Sequence, residues 1–554
     1  MIRDEFASLV ARALTDAQAA GDLPAFAAPE VELQHPQRPE HGDYSANLPL
    51  RIQSLVRMRA VEIATALQRH LPSHEALAEA RVAPPGFLNL YLAPGWVASQ
   101  AAAIARDGER FATSDRGAGA RVQVEYVSAN PTGPLHVGNG RGAAIGSTLA
   151  NVLRAWGYNV EEEYYINDAG TQVAIFARTL YARYQQTFGR DAPIPENGYP
   201  GEYVAQVARR IRDEEGDRYL QAEGDEPDPR LGERGIELML EEIRRDLEAI
   251  GVRYSNWYSE RTLQAEGGPY HTVLAQMRER GHVVEREGAV WFASSEIGEE
   301  KDNVLIRSDG VPTYFATDIA YHFDKLVTRR FDRSLDIWGA DHQGHVSRLK
   351  AAMRALDASP DGLDVVLYQL VTLKRGDRVV PLSKRAGELV TLADVVEEVG
   401  ADATRFFFLL PSAGAAMDFD LDLAKRRSEE NPVYYVQYAH ARIRGILDRA
   451  GEAGLSAAGA DATLLTHDAE QTLVRRLLLL PEVIETVVGE LAPHHLPHYA
   501  QDLAQAFHVF YTQCRVVDEQ EPELSRARLL LLEATRVVLA RTLGLMSISA
   551  PDRM

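Results

Sequence analysis

From Arg121 the sequence reads as strand, long turn, helix and strand, running Arg121 to Val127, then Gly140 to Trp156, then Asn159 to Ile166. Two strands joined by such a helix lie parallel, and the fixed hand of that crossover predicts a doubly wound sheet whose ligands gather at the carboxyl ends of its strands. Strand-like pieces return at Ala289 to Phe292 and at Leu335 to Trp338. A polar, Pro- and Glu-rich region from about Asp191 to Arg234 interrupts the pattern and reads as an insertion.

With 554 residues the chain exceeds the size at which one core keeps growing, so three unequal units are expected. Before the sheet, Ile2, Phe6, Val10 and Leu14 fall at helical spacing, and a second amphipathic helix is expected from Leu48 to about His70. A polar turn, His41-Gly42-Asp43-Tyr44, separates them, and Gly86 to Leu92 alternates as a strand. The stretch Ser114 to Gly119 reads as an exit linker. After about Leu410, helical runs take over at Asn431 to Leu447, Gln471 to Leu491, Pro497 to Cys514 and Ser525 to Leu545, with Pro481 expected to kink or restart the second. The expected fold is therefore α/β: a small α/β domain over 1–112, a Rossmann-like domain over 113–410 with the insertion near 191–234, and an all-α bundle over 411–554.

The 59 Lys and Arg against 80 Asp and Glu give a net charge of −21, which weighs only weakly against a polyanionic partner, because phosphate contacts need a local basic stripe. One cysteine, Cys514, excludes an internal disulfide and a thiolate zinc cluster. The acidic start carries no apolar run of signal-peptide length and no later stretch is long enough to span a membrane, so a cytoplasmic protein is expected.

The strongest local signal is the run from Glu125 to Gly142, with Ser128-Ala129-Asn130-Pro131-Thr132-Gly133-Pro134 and His136-Val137-Gly138-Asn139 inside it. It ends a strand and opens a helix. Gly138, Gly140 and Gly142 permit close backbone approach, and the amides of a helix start present positive charge to phosphate. His136 can donate to a phosphate oxygen or to charge that develops in displacement. Gly138-Asn139-Gly140-Arg141-Gly142-Ala143 also matches a dinucleotide fingerprint with Glu161 downstream. In that motif the first glycine follows its strand directly, whereas here an excursion from Ser128 to Val137 containing Pro131 and Pro134 intervenes.

His136-Val137-Gly138-Asn139 resembles the His-Ile-Gly-His signature of class I aminoacyl-tRNA synthetases, and the segment before it resembles the arginyl branch. The fourth signature position is Asn139, which can donate a hydrogen bond but not become cationic. Pro381-Leu382-Ser383-Lys384-Arg385 is similar to the second, Lys-Met-Ser-Lys loop, with Pro381 in place of the first lysine. The resemblance implies ATP brought with Mg2+ as the activating substrate, L-arginine and tRNA(Arg) as the others, and no metal held by the protein itself. It gives His136, Asn139 and Lys384 the charge developing on phosphate, and Gly138, Gly140, His342, Ser383 and Arg385 further nucleotide contacts. Arg385 or Lys374 is expected to help Lys384.

A guanidinium calls for planar carboxylates that accept paired hydrogen bonds. Glu125 lies late in the first strand, out of phase with Val122, Val124 and Tyr126, and Asp318 lies four residues after Tyr314. The resemblance makes Ser128, Asn130, Tyr314 and Asp318 amino-acid contacts, with Glu125 and Asp341 beside them. A metal reading of Asp341, His342 and His345 lacks a motif of firm spacing. The N-terminal unit resembles the additional domain of arginyl enzymes that touches the tRNA elbow. The helical end resembles their anticodon-binding bundle, with Tyr434, Tyr435, Tyr438 and Arg442 available to stack on bases, although at helical spacing these tyrosines cannot all face outward. A monomer is expected. A nicotinamide dehydrogenase and a catalytically dead tRNA-binding paralogue are the competing readings.

Overall fold

The computed structural model describes residues 1–220, 226–380 and 390–554. Its centre is a five-stranded parallel sheet of β1 (Arg121–Tyr126), β2 (Asn159–Ile166), β3 (Asn256–Ser259), β4 (Arg333–Gly339) and β5 (Leu363–Tyr368), in the order β5-β4-β1-β2-β3. The chain reverses direction of winding between β1 and β4, which is where open α/β sheets bind ligands.

The register makes the two faces of this sheet chemically opposite. On one face Val122, Val124 and Tyr126 of β1 are buried against α1 (Val137–Ala155). A Cβ on Gly146 of that helix would stand 2.3 Å from the Tyr126 ring, so only glycine allows this approach. On the other face Asp336, Glu125, Glu163 and Asn256 stand side by side across β4, β1, β2 and β3. Over that row lies α2 (Tyr314–Phe323), which continues as a π turn over Asp324–Thr328. That turn delivers Lys325, fully buried, to the acidic row.

The expected strand Ala289–Phe292 forms, but in a separate antiparallel sheet between Val283–Arg286 and Asn303–Ile306. The reason is local: Glu287 and Gly288 both take positive φ and close a tight hairpin, which imposes antiparallel pairing. The single helix expected from Leu48 to His70 is two, Leu48–Val56 and Ala60–His70, because Arg57 turns left-handed between them. The described part of the insertion includes a helix. Its helix Glu202–Glu215 packs Val204, Ala208 and Ile211 onto Phe176, Leu180 and Tyr184, a small core of its own.

The C-terminal bundle contains α3 (Pro432–Glu452), α4 (Asp468–Leu478), α5 (Leu480–Glu490), α6 (His495–Gln513) and α7 (Pro522–Leu545), with the break at Pro481 as expected. Cys514 is buried beside it. The turn at Asp43-Tyr44 docks the N-terminal domain on this bundle: Arg475 Nε meets Asp43 Oδ1 at 2.7 Å, and the Tyr44 hydroxyl donates to Glu482 at 2.7 Å. Arg405, wholly buried, donates to the carbonyls of Met546 at 2.6 Å and Ile250 at 3.0 Å and to Ser147 Oγ at 2.9 Å.

Candidate active site

At the end of β1 the backbone turns sharply, with Val127 at φ 70° and Ser128 at φ 40°. A β-branched residue resists this region, so the kink must be held by its surroundings. Ser128 supplies the hold. Its Oγ donates to Glu125 Oε1 at 2.8 Å and accepts from Tyr165 N–H at 3.1 Å, while its carbonyl accepts from Asn167 at 3.1 Å. Asn130, two residues on, is exposed.

Glu125 is buried and turned inward. Its Oε2 accepts from Lys325 Nζ at 2.6 Å, and the same ammonium reaches Asp336 Oδ1 at 2.9 Å. His322 joins the other oxygen of Asp336 at 2.6 Å. Sequence reasoning gave Glu125 to the substrate directly; in the structure its two oxygens serve Ser128 and Lys325. Glu125, His322 and Asp336 have the spacing of metal ligands, but Lys325 Nζ already supplies the cation there. Burial works to raise the pKa of Asp336, yet Lys325 and His322 outweigh it and hold this carboxylate well below its ordinary range. Lys325 is correspondingly raised: burial opposes its charge, and Asp336 and Glu125 more than restore it. Next in the row, Glu163 accepts from Arg329 at 2.9 Å, Tyr321 at 2.6 Å and Gln123 at 3.1 Å.

Asp318 and Tyr314 share one side of α2, as their spacing predicts, with Tyr314 exposed and Asp318 partly so. His345 Nε2 meets Asp318 Oδ2 at 2.7 Å, and Arg348 Nε donates to His345 Nδ1 at 2.8 Å. With Nδ1 accepting, the proton of a neutral ring sits on Nε2, so the ring orients Asp318. Asp341 and His342 lie exposed on the turn Ala340–His342. The structure therefore separates His345, which faces Asp318, from those two.

His136 is the N-cap of α1. Its Nδ1 accepts the Asn139 N–H at 3.3 Å, and Asn139 Oδ1 accepts the His136 N–H at 3.0 Å. Surrounding protein lowers the His136 pKa by desolvation even though the residue reaches solvent. A neutral ring with Nδ1 occupied carries its proton on Nε2, so it presents one N–H outward at the positive end of a helix. Asn139 is buried in this cap. At Gly140 a Cβ would meet Leu392 at 2.5 Å and Phe408 at 2.9 Å, so the lack of a side chain there serves packing. Gly138 instead lies beside the His136 ring.

Ser383, Lys384 and Arg385 lie outside the described residues. The chain that follows them returns to this site: Thr391 pairs with His136, and Leu392 N–H donates to the Leu135 carbonyl at 2.8 Å. Thr391 caps the next helix reciprocally with Asp394. Lys374, expected to assist, is paired with Asp418 at 2.6 Å.

On α3, Tyr434 and Tyr438 stack with centroids 6.2 Å apart, and His508 continues the stack on Tyr438. Arg442 donates to the hydroxyls of Tyr438 at 2.9 Å and Tyr511 at 3.2 Å. Tyr434 and Tyr435 are half-buried and Tyr438 is exposed, so none is core in the full sense. His508 and Tyr511 come from another helix, α6, and no spacing within α3 announces them.

Three family models match in order along the chain: "Arginyl tRNA synthetase N terminal domain" over residues 4–92, "tRNA synthetases class I (R), catalytic domain" over 102–407, and "DALR anticodon binding domain" over 436–554. A protein of Dehalococcoides mccartyi named arginine–tRNA ligase is 49% identical over 545 residues, covering 98% of each chain. One of the same name from Heliobacterium modesticaldum is 46% identical over 560 residues, covering 100% of this chain and 99% of that one. In fold, the arginyl-tRNA synthetase of Thermus thermophilus superposes with a TM-score of 0.77 at 24% identity over 100% of both chains. With a kinked strand end under a histidine-capped helix, and with matches that span all three domains, the chain belongs to the arginyl-tRNA synthetases of class I.

Proposed function

We propose that this protein activates L-arginine with ATP and transfers it to the 3′ end of tRNA(Arg). The observation that supports the reading is the double use of the end of β1: Ser128 is held there on Glu125, and a few residues on His136 caps a helix N-terminus. Arginine carboxylate attacks the α-phosphorus of ATP and pyrophosphate leaves; the terminal ribose hydroxyl of tRNA then attacks the arginyl carbonyl and releases AMP. Magnesium enters with ATP as part of the substrate. His136 donates to the phosphoryl oxygens, and Lys384 is the cation for the departing pyrophosphate. Asp318, set by His345, faces the guanidinium, with Tyr314 and Asn130 beside it. The N-terminal unit takes the tRNA elbow, and Tyr434, Tyr435, Tyr438 and Arg442 meet unpaired bases. We take the protein to act as a cytoplasmic monomer; no helix among the described residues is long and apolar enough to cross a membrane. Transfer of labelled arginine to tRNA, with lysine and citrulline as controls, tests this. Incorporation of arginine alone is expected, and its absence refutes the reading.

A further inference from the structure

Arg141 lies on α1 little more than one turn past His136, and its side chain is wholly buried. Among the described residues no carboxylate pairs with it. One terminal nitrogen donates to the carbonyls of Gln369 at 2.7 Å and Ala415 at 3.0 Å, and the other donates to the Ser412 carbonyl at 2.9 Å. Its Nε is buried with no hydrogen-bond partner. A buried guanidinium held only by neutral carbonyls, with one N–H unsatisfied, is a poor source of stability. What its planar fork of donors does supply is a fixed distance and direction between the groups it joins.

Those groups belong to two loops that meet. Gln369 directly follows β5, and Ser412 and Ala415 lie between the helix Ala401–Leu409 and the strand Met417–Asp420. Gln369 N–H donates to the Ala413 carbonyl at 3.0 Å, and Met417 N–H to the Leu370 carbonyl at 3.3 Å. From this junction a three-stranded sheet starts: Val371–Arg375 runs parallel to Met417–Asp420 and antiparallel to Arg378–Val379. Val380 N–H still bonds to the Leu373 carbonyl at 2.8 Å, and Pro381, the first residue of the second signature, follows it in sequence. Beyond that signature the chain comes back to α1, where Thr391 bridges to His136 and Leu392 to Leu135. Arg141 thus ties the departure to the same helix that secures the return.

We propose that Arg141 is a positioning residue for adenylate formation: it fixes the sheet from which the Ser383-Lys384-Arg385 segment departs against the helix that His136 caps. This rests on the reading above of His136 and Lys384 as groups directed at phosphate. Being wholly buried, Arg141 acts only through the placement of others.

The test is a double-mutant cycle read by arginine-dependent ATP–pyrophosphate exchange, with tRNA present, on wild type, Arg141→Met, Lys384→Ala and the pair. In the wild-type background Arg141→Met is expected to lower kcat about 10- to 100-fold while the KM for arginine holds. In the Lys384→Ala background the same change is expected to cost less than about 3-fold, because the group it places is gone. Arg141→Lys, which keeps the charge but not the fork, should restore part of the rate. An equal loss in both backgrounds, or no loss in either, overturns the proposal and leaves the arginine reading standing. Should circular dichroism show Arg141→Met unfolded, Arg141→Lys decides by the same cycle. Wild type without arginine-dependent exchange defeats the arginine reading itself, and the proposal with it.

Discussion

The two faces of β1 are built on opposite principles. Val122, Val124 and Tyr126 meet a helix through apolar contact and one close glycine, and the same helix is capped by His136. Gln123 and Glu125, alternating with them, meet a buried lattice of charge in which Asp336, Lys325, His322, Glu163 and Arg329 leave few groups unpaired. Apolar packing tolerates small losses in proportion to area. A buried ionic lattice does not, because removing one member strands another.

The largest effect should therefore come from the charged face. Lys325→Met is expected to destabilise the protein by about 3–5 kcal/mol in denaturant melts, because it leaves Glu125 and Asp336 without their cation. A second change, Glu125→Gln, should recover part of that loss; no recovery would break the idea of a coupled lattice. On the apolar side, His136→Ala should slow pyrophosphate exchange by about 100- to 1000-fold with the melting transition nearly unmoved. Gly146→Ala should cost about 1–3 kcal/mol through overpacking against Tyr126, with the KM for arginine unchanged. The smallest effect is one of pH. Asp336 is depressed in the fold, so its contribution is present above about pH 4, the unfolded carboxylate range, and is lost as pH falls toward the folded value. Asp336→Asn should remove that part of the acid transition, measured as melting temperature against pH.

The first of these faces was legible in the sequence and the second was not. Alternating valines and the run from Glu125 to Gly142 identify β1, the long turn and α1, since those signals are local. Tyr314 and Asp318 fall on one helix a turn apart, as their spacing predicts. Lys325 and Asp336 were missed, for each gains its meaning from a register across strands or a π turn that no spacing within one element encodes. The packing role of Gly140 was out of reach for the converse reason: its neighbours Leu392 and Phe408 arrive from more than 250 residues later.

Arg405 ties the catalytic body to the tail of the chain through the Met546 carbonyl and to the helix under the sheet through Ser147. The catalytic and C-terminal domains are thus not detachable modules. Cutting the chain after residue 410, however natural that boundary looks, would take the Met546 carbonyl away from the buried Arg405 guanidinium and leave it only Ile250, Ser147 and Thr148. Engineers who wish to graft a different tRNA-reading end onto this catalytic unit must carry the last turn of the chain along with it.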